Sequence, residues 1–154
     1  MLSESDVNWL NDKILSTIVK PVLGNVSTYM NTLHKLCKDF FGVKFAGVKT
    51  SDMIPLLSDI SPFCILNLDN SSMSGSHWIA VVKFLKKDKY LVYDSFGRKS
   101  KVIIPSIHNK FGSEHIVDTD YDAEQQIEEY NCGQRCVAFL LLTDMFGVEN
   151  SIKL

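Results

Sequence analysis

The chain has 154 residues, of which 45% are hydrophobic and 22% are charged, and its formal net charge is −2. This size and composition predict a single globular domain over residues 1–154. The charge is not the basic excess of a nucleic-acid-binding protein, and every apolar run is far shorter than the ~20 residues that span a bilayer. We therefore expect partners other than nucleic acid or a membrane.

Two helices are predicted in the first part of the chain. Apolar residues recur at helical spacing over residues 5–19, and Pro21 with Gly24 is expected to end that helix. A second run of helical spacing covers residues 26–40. The stretch that follows is interrupted by glycines and prolines, and no element is predicted there.

The middle of the chain is rich in residues that favour strands. Three runs, at 63–68, 78–84 and 89–94, are strongly apolar, and residues 86–88 between the last two predict a hairpin turn. The other predicted elements are a short helix at 105–111, an edge strand at 115–117 and a final helix from 132 to about 146. Helices at both ends around a hairpin predict the α+β class, with a small mixed or antiparallel sheet flanked by helices.

Two residues with acid–base chemistry lie where this hairpin would bring them together. His77 stands just before one predicted strand, and Asp94 ends the next. In an antiparallel pair the start of one strand lies beside the end of the other. His77 and Asp94 are therefore predicted to meet, as a base and the carboxylate that orients it.

A cysteine marks the start of the final predicted helix. The helix dipole and the free amides at that position favour a thiolate on Cys132. Gly133 lets a substrate backbone approach closely. A glutamine just upstream, Gln125 or Gln126, can donate its side-chain amide to an oxyanion together with the Cys132 N–H, and the adjacent Asn131 is a second choice.

Each of these residues alone is common in ordinary packed proteins, and their combination carries the prediction. The order is His, Asp, Gln and Cys, with 17 residues from His77 to Asp94 and six from Gln126 to Cys132. This order predicts nucleophilic catalysis by a cysteine, with no metal and no organic cofactor. The first residues lack the features of a secretion signal, so we expect an intracellular chain with reduced cysteines.

The order and spacing resemble the adenain/Ulp superfamily of cysteine proteases, which contains adenovirus-type maturation proteases and SUMO-specific proteases. Within it, the chain is most similar to the maturation proteases of virophages, Polinton-like elements and other large DNA viruses. Residues 45–55, 67–78, 93–97 and 126–136 carry the resemblance. It implies a papain-like or adenain-like core with the nucleophile at the N-terminus of a central helix.

The resemblance also implies a role for individual residues. Cys132 matches the nucleophile, His77 the general base and Asp94 the third member of the triad. The choice of oxyanion donor remains open between two glutamines, since Gln126 fits the Ulp spacing and Gln125 fits the adenovirus spacing.

Two tryptophans match residues that line the substrate channel in the family. Trp78 follows the histidine, as in the relatives. Trp9 lies in a segment that resembles a Ulp helix whose tryptophan covers a glycine-containing tail, and it could pair with Trp78 across a narrow slot. The alternative for Trp9 is a tryptophan on the core face of a helix.

The implied function is cleavage of viral structural precursor polypeptides during virion maturation, at Gly-containing sites with small residues. It implies action in the virion and the host-cell cytoplasm, with an activating peptide as a further candidate partner. One alternative is a SUMO- or ubiquitin-directed isopeptidase, although the short chain leaves little room for such a substrate. Another is an inactive relative that binds Gly-rich tails without cutting them.

Overall fold

The structure is a computed structural model that describes residues 1–69, 77–126 and 129–154. Its helices are α1 (Glu4–Ile14), α2 (Lys20–Leu23), α3 (Met30–Phe41), α4 (Ser100–Ile103), α5 (Pro105–Phe111), α6 (Cys132–Phe146) and α7 (Val148–Ser151). Its strands are β1 (Phe45–Thr50), β2 (Phe63–Asn67), β3 (Trp78–Lys83), β4 (Tyr90–Tyr93) and β5 (Ile116–Asp118). A π-helical turn at Leu15–Val19 joins α1 to α2, and short 3₁₀ turns occupy Gly42–Lys44 and Ser113–His115.

The first helical segment runs past the proline that was expected to end it. Ser3 caps α1 through a reciprocal capping box with Asp6. Pro21 is the second residue of α2, which begins at Lys20 directly after the π-helical turn. A proline is tolerated in the first turn of a helix, because its missing N–H would have no partner within the helix there. The helical segment ends at Gly24, whose φ of 73° suits glycine. The predicted end at Pro21 with Gly24 is therefore confirmed for Gly24 and wrong for Pro21.

The second helix starts later than predicted, at Met30. Residues 24–28 form a loop instead, which packs against the start of α6 and is described with the site below.

In the residues that the structure describes, five strands form one mixed sheet in the order β1-β2-β3-β4-β5. The central pairs β2–β3 and β3–β4 are antiparallel, whereas β1–β2 and β4–β5 are parallel. This confirms the predicted α+β class and the predicted hairpin. The sequence did not predict β1, because Gly47 interrupts its pattern; Gly47 lies at a register irregularity between β1 and β2, with φ at 135°.

Apolar side chains cover both faces of the sheet. One face packs against α1, α3 and α6, and the other against α5 and residues 54–57. Alternate residues of each strand point to opposite faces of the sheet: Ala80 of β3 packs in the larger core and Ile79 in the smaller one. Helix α6 lies in the larger core and is buried at every position from Cys132 to Thr143.

The strand directions bring several loops to one edge of the sheet. β3 begins at this edge and β1, β2, β4 and β5 end there, as the pairing directions require. We call it the β3-start edge. In the part of the chain that the structure describes, no helix has the length and apolarity needed to cross a bilayer.

Candidate active site

The hairpin brings His77 and Asp94 together at the β3-start edge. Ala80 pairs with Tyr93, which sets the start of β3 beside the end of β4. The His77 Nε2 atom lies 2.6 Å from Oδ1 of Asp94, and both side chains are buried. This short contact orients the imidazole ring.

Four further hydrogen bonds hold the Asp94 carboxylate. The backbone N–H of Phe96 donates to Oδ1 over 3.3 Å, and that of Arg98 donates to Oδ2 over 3.1 Å. The Arg98 side chain donates from Nε to Oδ2 over 2.8 Å and from Nη2 to Oδ1 over 3.4 Å. Burial acts to raise the pKa of Asp94, but the bonds from His77 and Arg98 outweigh it and lower the pKa to about 2. Asp94 is therefore ionised, and His77 Nε2 must be the donor.

Cys132 lies on the other side of the imidazole. The His77 side chain and the backbone N–H groups of Trp78 and Gly133 lie near enough to its thiol to lower its pKa. Because Nε2 already contacts Asp94, Nδ1 is the ring nitrogen left for the thiol. His77 thus bridges Cys132 and Asp94.

Burial and pairing act in opposite directions on the two partners. Burial alone would raise the pKa of the Cys132 thiol, but the hydrogen bond and charge of His77 and the two backbone N–H groups lower it overall. Burial alone would lower the pKa of His77, but Asp94 and Cys132 raise it. Both shifts favour a thiolate–imidazolium pair at the N-terminus of α6.

The other three cysteines differ from Cys132. All four cysteines are free and buried. Burial raises the pKa of Cys37 to about 12 and raises the pKa values of Cys64 and Cys136 as well. Cys132 is the cysteine whose surroundings favour the anion.

The two candidate glutamines are placed very differently. Gln125 is 4% exposed, its Oε1 accepts a 2.6 Å bond from the Ser95 hydroxyl, and its Nε2 donates to the Glu129 carbonyl over 2.7 Å. Gln126 is exposed; its backbone N–H donates to the Glu129 side chain and its carbonyl accepts from the Glu129 N–H, so both bonds come from its backbone. Gln125 is thus anchored to the residue that follows Asp94. This geometry favours Gln125 over Gln126 as the oxyanion donor.

The two tryptophans differ in exposure. Trp78 is buried in the core beside the site. Trp9 is 60% exposed, with the Lys13 ammonium over its ring. Pairing of Trp9 with Trp78 across a slot therefore stays a prediction, with Trp9 on the surface and Trp78 buried.

Residues 24–28, here called the α6 loop, cover the first turn of α6. The Asn131 side chain donates to the Asn25 side chain over 2.8 Å. Gln134 Nε2 donates to the carbonyls of Gly24 and Val26, over 3.1 and 2.6 Å. This contact was not predicted from the sequence, although Gln134 is a polar residue in a largely apolar helix. The residues on either side of Cys132 and Gly133 are therefore fixed by the α6 loop.

Among the described residues, one acidic group has the spacing of metal ligands. Carboxylate oxygens of Glu4, Asp120 and Asp122 lie within 4.8 Å of one another, and all three residues are exposed. Exposed acidic groups of this kind are common without an ion, and this one is separate from the triad.

No protein-family model matches the chain, and no curated protein matches it. Among solved structures, the chain is similar to one described as the SUMO protease Ulp1 with the catalytic cysteine oxidized to a sulfenic acid. The identity is 14%, the TM-score is 0.47, and the match covers 99% of this chain and 91% of that one. A likeness at this level carries no conclusion about activity, which must come from the side-chain geometry.

Proposed function

We propose that this protein is a cysteine protease, a thiol-dependent hydrolase of peptide bonds. The observation that carries the proposal is the position of His77, which contacts Cys132 on one side and Asp94 at 2.6 Å on the other. Acyl transfer requires this spatial order: a nucleophile, then a base beside it, then a group that orients the base. The lowered pKa of Cys132 supplies the thiolate.

The reaction follows from these positions. The Cys132 thiolate attacks the peptide carbonyl carbon, and the carbonyl electron pair moves onto oxygen. The tetrahedral oxyanion collapses to a thioester as the C–N bond breaks, and the His77 imidazolium gives its proton to the leaving amine. Water, deprotonated by His77, then attacks the thioester, and the acid and the free thiol are released.

Two donors support the oxyanion in this proposal. The backbone N–H of Cys132 is in the first turn of α6, where amides have no partner within the helix. The Gln125 amide is the second donor, because Ser95 and Glu129 hold it in a buried position. Fixed donors of this kind stabilise the charge that develops on the carbonyl oxygen.

As substrates we propose viral precursor polypeptides, cut at Gly-containing sites with small residues during virion maturation. The sequence resemblance described above is the support for this finer proposal, and for action in the virion and the host-cell cytoplasm. A SUMO- or ubiquitin-directed isopeptidase would instead prefer a folded modifier with a Gly-Gly tail over short peptides. Comparing kcat/KM on both substrate types distinguishes the two.

The first test uses an electrophilic probe built on a Gly-Gly peptide, followed by mass mapping of the modified residue. We expect labelling of Cys132 that is lost in Cys132→Ala and in His77→Ala. Cys136→Ala is the matched control, because Cys136 lies one turn further along the same helix and is fully buried. It should keep the labelling.

Two results would overturn the proposal. One is labelling of Cys37, Cys64 or Cys136 instead of Cys132. The other is thiol-dependent peptide cleavage that survives in Cys132→Ala. A protein that binds Gly-rich peptides without labelling or cleavage would be the inactive relative.

A further inference from the structure

Arg98 forms a fork on the carboxylate that orients His77. Its Nε donates to Oδ2 of Asp94 over 2.8 Å, and its Nη2 donates to Oδ1 over 3.4 Å. Its own backbone N–H adds a third bond to Oδ2, over 3.1 Å. Arg98 therefore contacts both oxygens of Asp94, including the one that His77 uses.

The Phe96 ring contacts both the Arg98 guanidinium and the His77 imidazole. The Arg98 guanidinium carbon lies 5.1 Å from the centre of the Phe96 ring. The Phe96 ring centre in turn lies 5.0 Å from that of His77. Arg98, Phe96 and His77 thus pack in series, while Asp94 links the two ends of the series by hydrogen bonds.

This arrangement restricts the motion left to Asp94. The carboxylate of an aspartate turns about its last side-chain bond, and besides His77 the backbone N–H groups of Phe96 and Arg98 give it one bond on each oxygen. A planar guanidinium with two parallel donors fixes the plane of the carboxylate as well as its position. The tight turn, closed by a 2.9 Å bond from the Gly97 N–H to the Asp94 carbonyl, keeps Arg98 beside its partner.

We propose that Arg98 is a positioning residue of the hydrolase, which acts through Asp94 by fixing the carboxylate in the plane that receives the His77 Nε2–H. The inference rests on the proposed function. Arg98 contacts the carboxylate and not the nucleophile, so its effect reaches the reaction only through Asp94 and His77. Its side chain is 44% exposed, which makes its substitution tolerable for the fold.

The activity test compares Arg98→Met, Arg98→Lys and the control Lys101→Met, an exposed basic residue of α4. Arg98→Met should lower kcat roughly 10–100-fold, as loss of a partner behind a functional side chain does, with KM nearly unchanged. Arg98→Lys should recover only part of the kcat that Arg98→Met loses, because lysine restores the charge but not the two-pronged hydrogen bonding. Lys101→Met should match the wild type.

A double-variant cycle shows whether Arg98 acts through Asp94. In an Asp94→Ala background, Arg98→Met should cost no further activity, because the group it positions is gone. An equal loss in both backgrounds would overturn the proposal and would point to a direct contact with substrate, as would a change in KM alone. Unchanged kcat in Arg98→Met would also overturn the role of Arg98. The proposed function would still stand in that case, provided that the activity of the wild type depends on Cys132.

A spectroscopic measurement tests the same point without turnover. The short His77–Asp94 bond predicts a low-field proton resonance from the His77 Nε2–H that exchanges slowly with water. We expect this resonance to shift to higher field or vanish in Arg98→Met and in Asp94→Ala, and to persist in Lys101→Met. A resonance unchanged in Arg98→Met would overturn the inference even if the wild type proved inactive.

Discussion

Thr28 lies so close to Gly133 that a methyl group on the glycine would come within 2.1 Å of the Thr28 hydroxyl oxygen. The two Leu33 methyl groups would each lie 3.3 Å from the same position. Gly133 is buried, and the α6 loop occupies the space that its missing side chain leaves. The sequence predicted that Gly133 admits a substrate backbone, whereas the structure places the side chains of Thr28 and Leu33 next to it.

This contact predicts that Gly133→Ala destabilises the protein. Overpacking of a filled site costs typically about 1–3 kcal/mol in free energy of unfolding, and chemical denaturation measures it. Thr28→Ala removes the hydroxyl that the methyl group would meet. The double variant should therefore recover much of the loss. Equal destabilisation by Gly133→Ala with and without Thr28→Ala would contradict the proposed clash.

The thiolate of Cys132 should depend on His77. Because the pKa of Cys132 is lowered and His77 is a main cause, alkylation by iodoacetamide should reach half its maximal rate below the ordinary thiol pKa. In His77→Ala, burial acts without that compensation, so the midpoint should rise by at least about 1 pH unit. The rate of alkylation of Cys132, followed by mass spectrometry across pH, measures both midpoints.

Cys136→Ala serves as the control in that experiment and should reproduce the wild-type profile. A midpoint that stays in place after His77→Ala would mean that the helix N-terminus alone lowers the pKa of Cys132.

The oxyanion donor can be identified by two neighbouring substitutions. Gln125→Ala should lower kcat about 10²–10³-fold, as removal of one oxyanion donor does. Gln126→Ala should have little effect, since that side chain is exposed. Steady-state kinetics on one peptide substrate measures both. The reverse result would show that the glutamine six residues before Cys132 is the donor.

Glu124 should make the stability of the protein fall as pH rises. Burial raises the pKa of Glu124 from 4.5 to about 7; the nearby Tyr93 and Arg135 offset it only in part. Between these two pH values the folded state holds a proton that the unfolded state has released. Protonated Glu124 therefore contributes on the order of 3 kcal/mol to the free energy of unfolding. This contribution is complete below about pH 4.5 and lost above about pH 7.

Glu124→Gln is the corresponding test, because it keeps the shape and removes the titration. The difference in unfolding free energy between wild type and Glu124→Gln should grow with pH across this window and then level off. Glu114→Gln, which changes an exposed carboxylate, is the control. A difference that does not vary with pH would contradict the raised pKa of Glu124.

Local sequence patterns were sufficient to predict the site residues whose positions depend on elements adjacent in the chain. His77 and Asp94 could be placed together because a hairpin has one simple geometry, in which the start of one strand faces the end of the next. Cys132 could be placed at a helix start because the apolar run of the final helix begins one turn later, at Cys136. These inferences need only the period of the pattern and the direction of the chain.

Contacts between distant parts of the chain were not predictable in this way. Asn131 and Gln134 bond to the α6 loop across more than 100 residues, and nothing in either segment specifies the other. The choice between Gln125 and Gln126 depends on which of two adjacent side chains turns inward, and spacing alone does not decide it. The sequence did not predict a role for Arg98, because its bonds to Asp94 depend on side-chain torsions that sequence patterns do not report.

Helix α6 has no face toward solvent over twelve consecutive residues, from Cys132 to Thr143. In α3, by contrast, burial returns only at Leu33, Cys37 and Phe41. A surface helix can accumulate substitutions on its outer face while its inner face stays fixed. α6 has no such outer face, so its sequence can diverge only through paired changes with the sheet and the helices around it.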